Sequence, residues 1–238
     1  MTDKRKRVSG AVAEQPETPR GRPPMLSSEA IISVALELLR KHPRDEFTTA
    51  RVARELGVSP PALSRYFPSR AALLDAMATT VFAEFPDVPA NGDWREKLGA
   101  WQHNLVRHYR KYRGMMHLMS WDGKLSGPWL RVQMPVISLL HDLGFSGRAL
   151  FETSSWFLSG TVGMIRTYLA ADYPDFELSE LLDFTAGSEQ LTPAQKMLIK
   201  EAQKWVGKTD PDRVLGTGLL TLVDGVEKEL RKLGKQNA

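Results

Sequence analysis

Thr48-Thr49-Ala50-Arg51-Val52-Ala53-Arg54-Glu55-Leu56-Gly57-Val58-Ser59-Pro60-Pro61-Ala62-Leu63-Ser64-Arg65-Tyr66-Phe67-Pro68-Ser69-Arg70-Ala71-Ala72-Leu73-Leu74 decides the fold of the first third of the chain. Thr48 or Thr49 can cap a short helix that runs to about Leu56. Gly57 supplies a turn in which φ can be positive. Ser59 can cap the next helix, with Pro60 at its first position, where the missing N–H costs nothing. That helix ends near Tyr66, and Pro68-Ser69 break and recap the chain ahead of a longer helix, Arg70 to Glu84. Val52, Ala53 and Leu56 face the same small core as Val58, Leu63 and Phe67. Two short helices joined by Gly57-Val58-Ser59 therefore make a helix-turn-helix. Its second helix projects Pro60, Pro61, Ala62, Ser64 and Arg65 at a size and angle that suit a major groove. The pattern alone has many false positives, because any small helical core with a glycine turn shares it.

Upstream, Ile31, Val34, Ala35 and Leu38 follow the i, i+3, i+4, i+7 rule, so a first amphipathic helix runs from Ser27 to about Lys41. Leu26 packs on Ile31 as a staple, and His42-Pro43-Arg44-Asp45 break the helix. The stretch from about Leu26 to Met77 resembles the DNA-binding region of the TetR family of transcriptional regulators. The resemblance implies an all-helical homodimer with a variable C-terminal domain that binds a small molecule and dimerises. It also implies roles for single residues. Ser59, Pro61, Ala62 and Ser64 stand where members approach base edges, and Ala62 suits a thymine methyl. Tyr66 and Arg70 stand where members grip phosphates, and Thr49 adds a hydroxyl at the start of its helix. Many members carry Tyr at the position of Ser64, so specificity shifts here toward Arg65 or the leading arm. Phe67 is expected in the core.

The chain has 238 residues, 32 Lys plus Arg, 28 Asp plus Glu and no Cys. Absence of Cys removes disulfides, thiolate catalysis and cysteine metal sites, and favours a cytoplasmic setting. No apolar run is long enough for a membrane helix or a secretory signal. Residues 1–24 hold six basic and three acidic side chains, residues 25–85 seven of each, and residues 86–238 nineteen against eighteen. Most of the positive excess thus lies in a short, Pro/Gly-rich arm that is expected to be disordered alone. Within it, Arg20-Gly21-Arg22-Pro23 resembles the core of an AT-hook. Gly lets the backbone approach closely and Pro keeps it extended, so Arg20 and Arg22 suit a narrow A·T-rich minor groove.

Phe85 to Gly92 reads as a loop between two parts, 25–85 and 86–238. The second part is also helical. Asp93 caps a helix that reaches Arg113, and a short helical piece covers Met115 to Trp121. Further helices span Ser126 to Leu143, with a kink at Pro135, Ser146 to about Ala171, Thr192-Pro193 to Trp205, and Asp210-Pro211 to Leu233. Residues 172–191 are acidic and read as a solvated loop. No alternating strand pattern with hairpin turns is expected anywhere, so the fold class is all-α.

Trp101, Leu105, His117, Trp121, Met134, His141, Trp156 and Met164 are candidates to line an apolar effector pocket, since Met and aromatic side chains adapt to irregular ligands. Ordinary core packing accounts for most residues of this kind. The stretch Trp94 to Leu118 is similar to the start of the ligand domain of the tetracycline repressor, through Tyr112-Arg113-Gly114 and His117. Trp101 stands where that repressor has a drug-binding Asn, and no His follows Val81-Phe82-Ala83-Glu84, so the tetracycline–magnesium site is not carried over. Ser155, Ser159 and Gly163 form a row of small residues, and Gly218 and Gly225 lie one heptad apart beside Leu222. Such rows let another helix approach, either a second subunit's or the chain's own.

The five histidines lack metal-pair spacing on one helix, and no nucleophile elbow, phosphate loop or His-Glu-x-x-His motif occurs. No cofactor, metal site or catalytic constellation is expected. The reading is a ligand-responsive repressor that binds a near-palindromic operator as a homodimer. The alternatives are an all-α binding protein or enzyme without DNA binding, and an activator.

Overall fold

The computed structural model describes residues 26–41, 47–169, 191–205 and 208–236. The arm with Arg20 and Arg22, the break at His42–Asp45 and all but the last residue of the acidic stretch 172–191 lie outside them. The described chain is built almost wholly from helices: α1 (Ser28–Lys41), α2 (Thr49–Glu55), α3 (Pro60–Ser64), α4 (Arg70–Ala83), α5 (Trp94–Lys111), α6 (Gly127–Asp142), α7 (Gly147–Leu169), α8 (Pro193–Gln203) and α9 (Pro211–Gln236).

The helix starts are chemically specified. Ser27 Oγ accepts from Ala30 N at 3.2 Å, Thr48 Oγ1 from Arg51 N at 3.2 Å, and Ser69 Oγ from Ala72 N at 3.1 Å. Asp93 and Glu96 form a reciprocal capping box on α5, and Thr192 and Gln195 form another on α8. α1, α2 and α3 pack around Ile31, Ala35, Val52, Ala53, Leu63 and Phe67, all buried, as their spacing predicts. Gly57 closes the α2–α3 turn at φ +65°.

One expectation fails between α5 and α6. Only Met115–Leu118 is helical there, as a 3₁₀ turn, and Ser120–Trp121 then pairs antiparallel with Lys124–Leu125. Asp122 and Gly123 make the two-residue turn, both with positive φ. Asp-Gly between short extended segments is the strongest local hairpin signal, and it stands in the sequence. Two-residue strands are too short to show the alternation by which strands are sought.

The body places α7 and α9 side by side, with α5 and α6 against α7 and α4 against α6. A continuous buried cluster extends from Ile31 in α1 to Val226 in α9. Pro135 lies inside α6 on its exposed side. Among the described residues, no helix is long and apolar enough to cross a membrane.

Candidate nucleic-acid interface and helical body

The tip of α3 differs in detail from expectation. Ser59 occupies the cap position, yet its hydroxyl makes no capping bond. A capping hydroxyl accepts from the second or third helical N–H. Pro61 has no N–H, and Ala62 N instead donates to the backbone oxygen of Ser59 at 2.9 Å. Ser59, Pro60, Pro61, Ser64 and Arg65 are exposed and Ala62 is half-buried, whereas Leu63 points inward. Ser64 Oγ donates to Pro60 O at 3.1 Å, which leaves its oxygen free only as an acceptor. Arg65 forms no ion pair with the described residues.

Two further candidates are tied down inside the head. Tyr66 is 40% exposed, and its hydroxyl donates to Leu26 O at 2.6 Å, which holds the end of α3 against the start of α1. A phenol has a single donor hydrogen, so Tyr66 must leave Leu26 before it can donate to a phosphate. Arg70 Nε donates to Phe47 O at 3.2 Å and clamps α4 to the segment that leads into α2. Thr48 caps α2, which leaves Thr49 half-buried at the first helical position.

The head meets the body along α4, which lies against α6 and the 3₁₀ turn. His108 of α5 is buried, with Nε2 2.9 Å from the carbonyl oxygen of Val81. A carbonyl only accepts, so Nε2 carries the hydrogen. Val81 lies in the last turn of α4, where carbonyls lack helical partners, and Phe85 N donates to Phe82 rather than to Val81. Burial holds the imidazole below its ordinary value near 6.5, against the Val81 bond, which acts to raise it. Phe82, Phe85 and Tyr112 surround the ring. Lys111 donates to Glu84 beside this contact and holds that carboxyl below the usual range. Gly114, at φ +90°, brings the start of the 3₁₀ turn against α1, since a Cβ there would lie 3.1 Å from Leu39 O.

The eight candidate pocket residues do not share one cavity. Trp101 and Leu105 are wholly buried, and Trp101 Nε1 donates to Val132 O at 2.8 Å. Both are core. Met134 and His141 are exposed on α6, with His141 beside Asp142, so an interior cavity excludes them. His117 and Trp121 are half-buried at the 3₁₀ turn and the ribbon. Met164 borders an open groove of about 540 Å³ with Tyr168 and Arg213, and Trp156 a separate one of about 490 Å³ with Phe145 and Leu233. Sequence reasoning missed Gln102, whose amide donates at 3.2 Å to both Thr161 Oγ1 and Leu219 O and ties α5, α7 and α9 together. A buried Gln inside an otherwise amphipathic helix is the signal for such a tie.

The small-residue rows divide. Gly218 and Gly225 face Met164 and Trp156 of the chain's own α7, and Leu222 packs on Gly160. These three pack against the chain's own α7 and are half-buried. A Cβ on Gly225 would lie 2.9 Å from the Trp156 ring. Gly163 has nothing near its Cβ direction, Ser159 is exposed and Ser155 half-buried, so that row lies on the outer side of α7 with the exposed Phe151. Among the described residues, no cluster of His, Asp or Glu has the arrangement of a metal site.

Comparison with known proteins accords with this architecture. Residues 31–77 match the family described as bacterial regulatory proteins, tetR family, and residues 85–230 match the tetracyclin repressor-like C-terminal domain. The tetracycline repressor protein class C of Escherichia coli is 31% identical over 209 residues, which cover 85% of this chain and 91% of that protein. A Streptomyces coelicolor A3(2) protein described as a possible TetR family transcriptional regulator has a similar crystal structure, with TM-score 0.66, 23% identity, and 85% and 99% of the two chains covered. BioQ, solved with its natural double-stranded DNA operator, aligns at TM-score 0.53 and 19% identity over 62% of this chain and 90% of its own. The family model for the C-terminal domain spans more than half of the chain, and the Escherichia coli relative is covered almost end to end; the chain belongs to the tetR family of bacterial regulatory proteins.

Proposed function

We propose that this regulator represses transcription as a homodimer that grips a near-palindromic operator and releases it when a small molecule binds the body. Residues 25–85 form the DNA-reading head, and residues 86–238 the ligand and dimer domain. The observation that carries the reading is the division of α3. Leu63 and the following Phe67 are buried, while Ser59, Pro60, Pro61 and Arg65 stand clear in solvent on a helix with no other packing duty. That arrangement serves a groove. The operator complex of BioQ and the name of the tetracycline repressor support the two halves of the reading, DNA and small molecule.

Two heads on a dimer reach half-sites about one helical turn apart, roughly 34–36 Å. Ser155, Ser159 and Gly163, with Phe151, supply the face of α7 on which a second copy packs. An effector acts only by binding one head spacing better than the other, typically by ~1–3 kcal/mol. The strain passes through α4, which both α6 and His108 hold. Selection of bound duplexes from a random library, repeated with candidate small molecules, tests the reading. It expects an inverted repeat whose affinity falls steeply with salt.

A further inference from the structure

We infer that the groove between α5 and α9 is the effector site of the body, and that it takes an uncharged, hydroxyl-bearing ring compound whose O–H donates to Oε1 of Gln102. This deepens the small-molecule reading above and rests on it. α5 and α9 are pinned together at two places, by Arg95 with Asp224 and Glu227 and by Arg110 with Asp212. Between these ion pairs the two helices line an open groove of about 370 Å³. That volume suits a small ligand. Its floor is apolar, built from the buried Val106, Leu215 and Leu219. Gly99 and Gly216 open its walls. The Cβ direction of each meets nothing within 4 Å beyond its own helix backbone, so the packing of the described chain requires glycine at neither place. Glycine weakens a helix interior, and what these two provide in return is room.

Gln102 supplies the polar contact. It is 3% exposed, and its amide nitrogen donates at 3.2 Å to both Thr161 Oγ1 and Leu219 O. A carbonyl only accepts, so the nitrogen and not the oxygen faces Leu219, and both of its hydrogens are spent. Oε1 has no hydrogen-bond partner among the described residues. No side-chain oxygen or nitrogen among them is both unpartnered and sealed from solvent, so Oε1 opens onto the groove that Gln102 lines. A lone acceptor beside an apolar floor is matched by a ligand that carries a donor on an apolar body. Arg95 and Arg110 are each neutralised by carboxylates, which leaves an anionic ligand neither guanidinium to pair with. α5 runs unbroken from Gln102 to His108, which holds the last turn of α4 through Val81 O. A molecule wedged between α5 and α9 therefore acts on the helix that grips the head.

Isothermal titration calorimetry of the full chain, without DNA, compares 2-naphthol with 2-methoxynaphthalene, which lacks the donor, and with 2-naphthoate, which adds a charge. The expectation is that 2-naphthol binds about tenfold more tightly than either control, the size of one hydrogen bond to a desolvated acceptor. Gly99→Leu and Gly216→Leu fill the groove. They keep the parent's thermal transition, because the new side chains displace nothing, and they lose 2-naphthol. Saturating 2-naphthol lowers the parent's affinity for a selected duplex by about 5–150-fold, and has no effect on the two variants. No binding of 2-naphthol, equal binding of the ether, or full affinity in both leucine variants overturns the site. Binding that leaves duplex affinity unchanged overturns its role as the effector site. Failure to select any duplex overturns the repressor reading, whereas the calorimetry, which needs no DNA, decides the groove.

Discussion

His108 Nε2 lies 2.9 Å from Val81 O, so a side chain of the body completes the last turn of the helix that carries the head. The contact is buried, and its donor is an imidazole held neutral by its surroundings. Replacing His108 by Leu leaves the Val81 carbonyl without its partner. An unmade buried hydrogen bond of this kind costs about 1–3 kcal/mol. Urea denaturation of the variant, compared with the parent at pH 7.5, checks it.

The same residue makes stability depend on pH. The folded chain holds His108 below its ordinary value near 6.5, so between that value and the lowered one the unfolded chain binds more protons. Stability therefore rises with pH across this window and falls as pH drops through 6.5. In His108→Gln that contribution disappears. The expected result is a shallower fall in urea midpoint between pH 7 and 5 than the parent shows. Equal slopes contradict the assignment.

Gly114 stands at φ +90° with its Cβ direction aimed at Leu39 O. Gly114→Ala introduces both a strained backbone and a contact at 3.1 Å with a backbone oxygen that cannot move aside. The expected loss is about 1–3 kcal/mol, measured by thermal unfolding, with a native far-ultraviolet spectrum below the transition.

The two kinds of small residue on α7 and α9 give opposite outcomes. Ser159→Arg places a long cation on the outer side of α7, where the fold has no need of serine. It yields a folded monomer in analytical ultracentrifugation. Gly225→Val drives a side chain into Trp156 and lowers the stability of the chain itself, by about 1–3 kcal/mol. If Ser159→Arg remains dimeric, α7 does not supply the dimer face.

Arg65 and Arg70 are separated by their partners. Arg65→Ala removes an exposed guanidinium that pairs with none of the described residues, and is expected to weaken DNA binding while unfolding at the parent's temperature. Arg70→Ala also removes the clamp on Phe47 O, so it lowers both affinity and stability. Affinity against salt and thermal melts on the two variants distinguish them.

The helices were legible because their physical signals are local. Thr48, Ser69, Asp93, Ser126 and Thr192 all cap where the sequence places a helix start. Ser59 holds the cap position of α3 without the side-chain bond that Thr48 and Ser69 make. The Asp122-Gly123 hairpin was hidden by strands of two residues. The body was harder to read because exposure is a tertiary property. His141 and Trp101 both sit in apolar surroundings in the sequence, yet one lies at the surface and the other at the centre of the core. The glycines of α9 can serve a partner or α7, and only the tertiary packing shows Trp156 and Met164 lying on them.

Two copies of this chain are expected to read one inverted repeat. Sedimentation of the full chain with a duplex selected from a random library measures this directly, at a salt concentration where a scrambled duplex is not bound. The expected result is a single complex of two chains per duplex, reduced to weak, sequence-independent binding by Ser159→Arg. One chain per duplex at saturation, or equal affinity for the selected and the scrambled duplex, would contradict it.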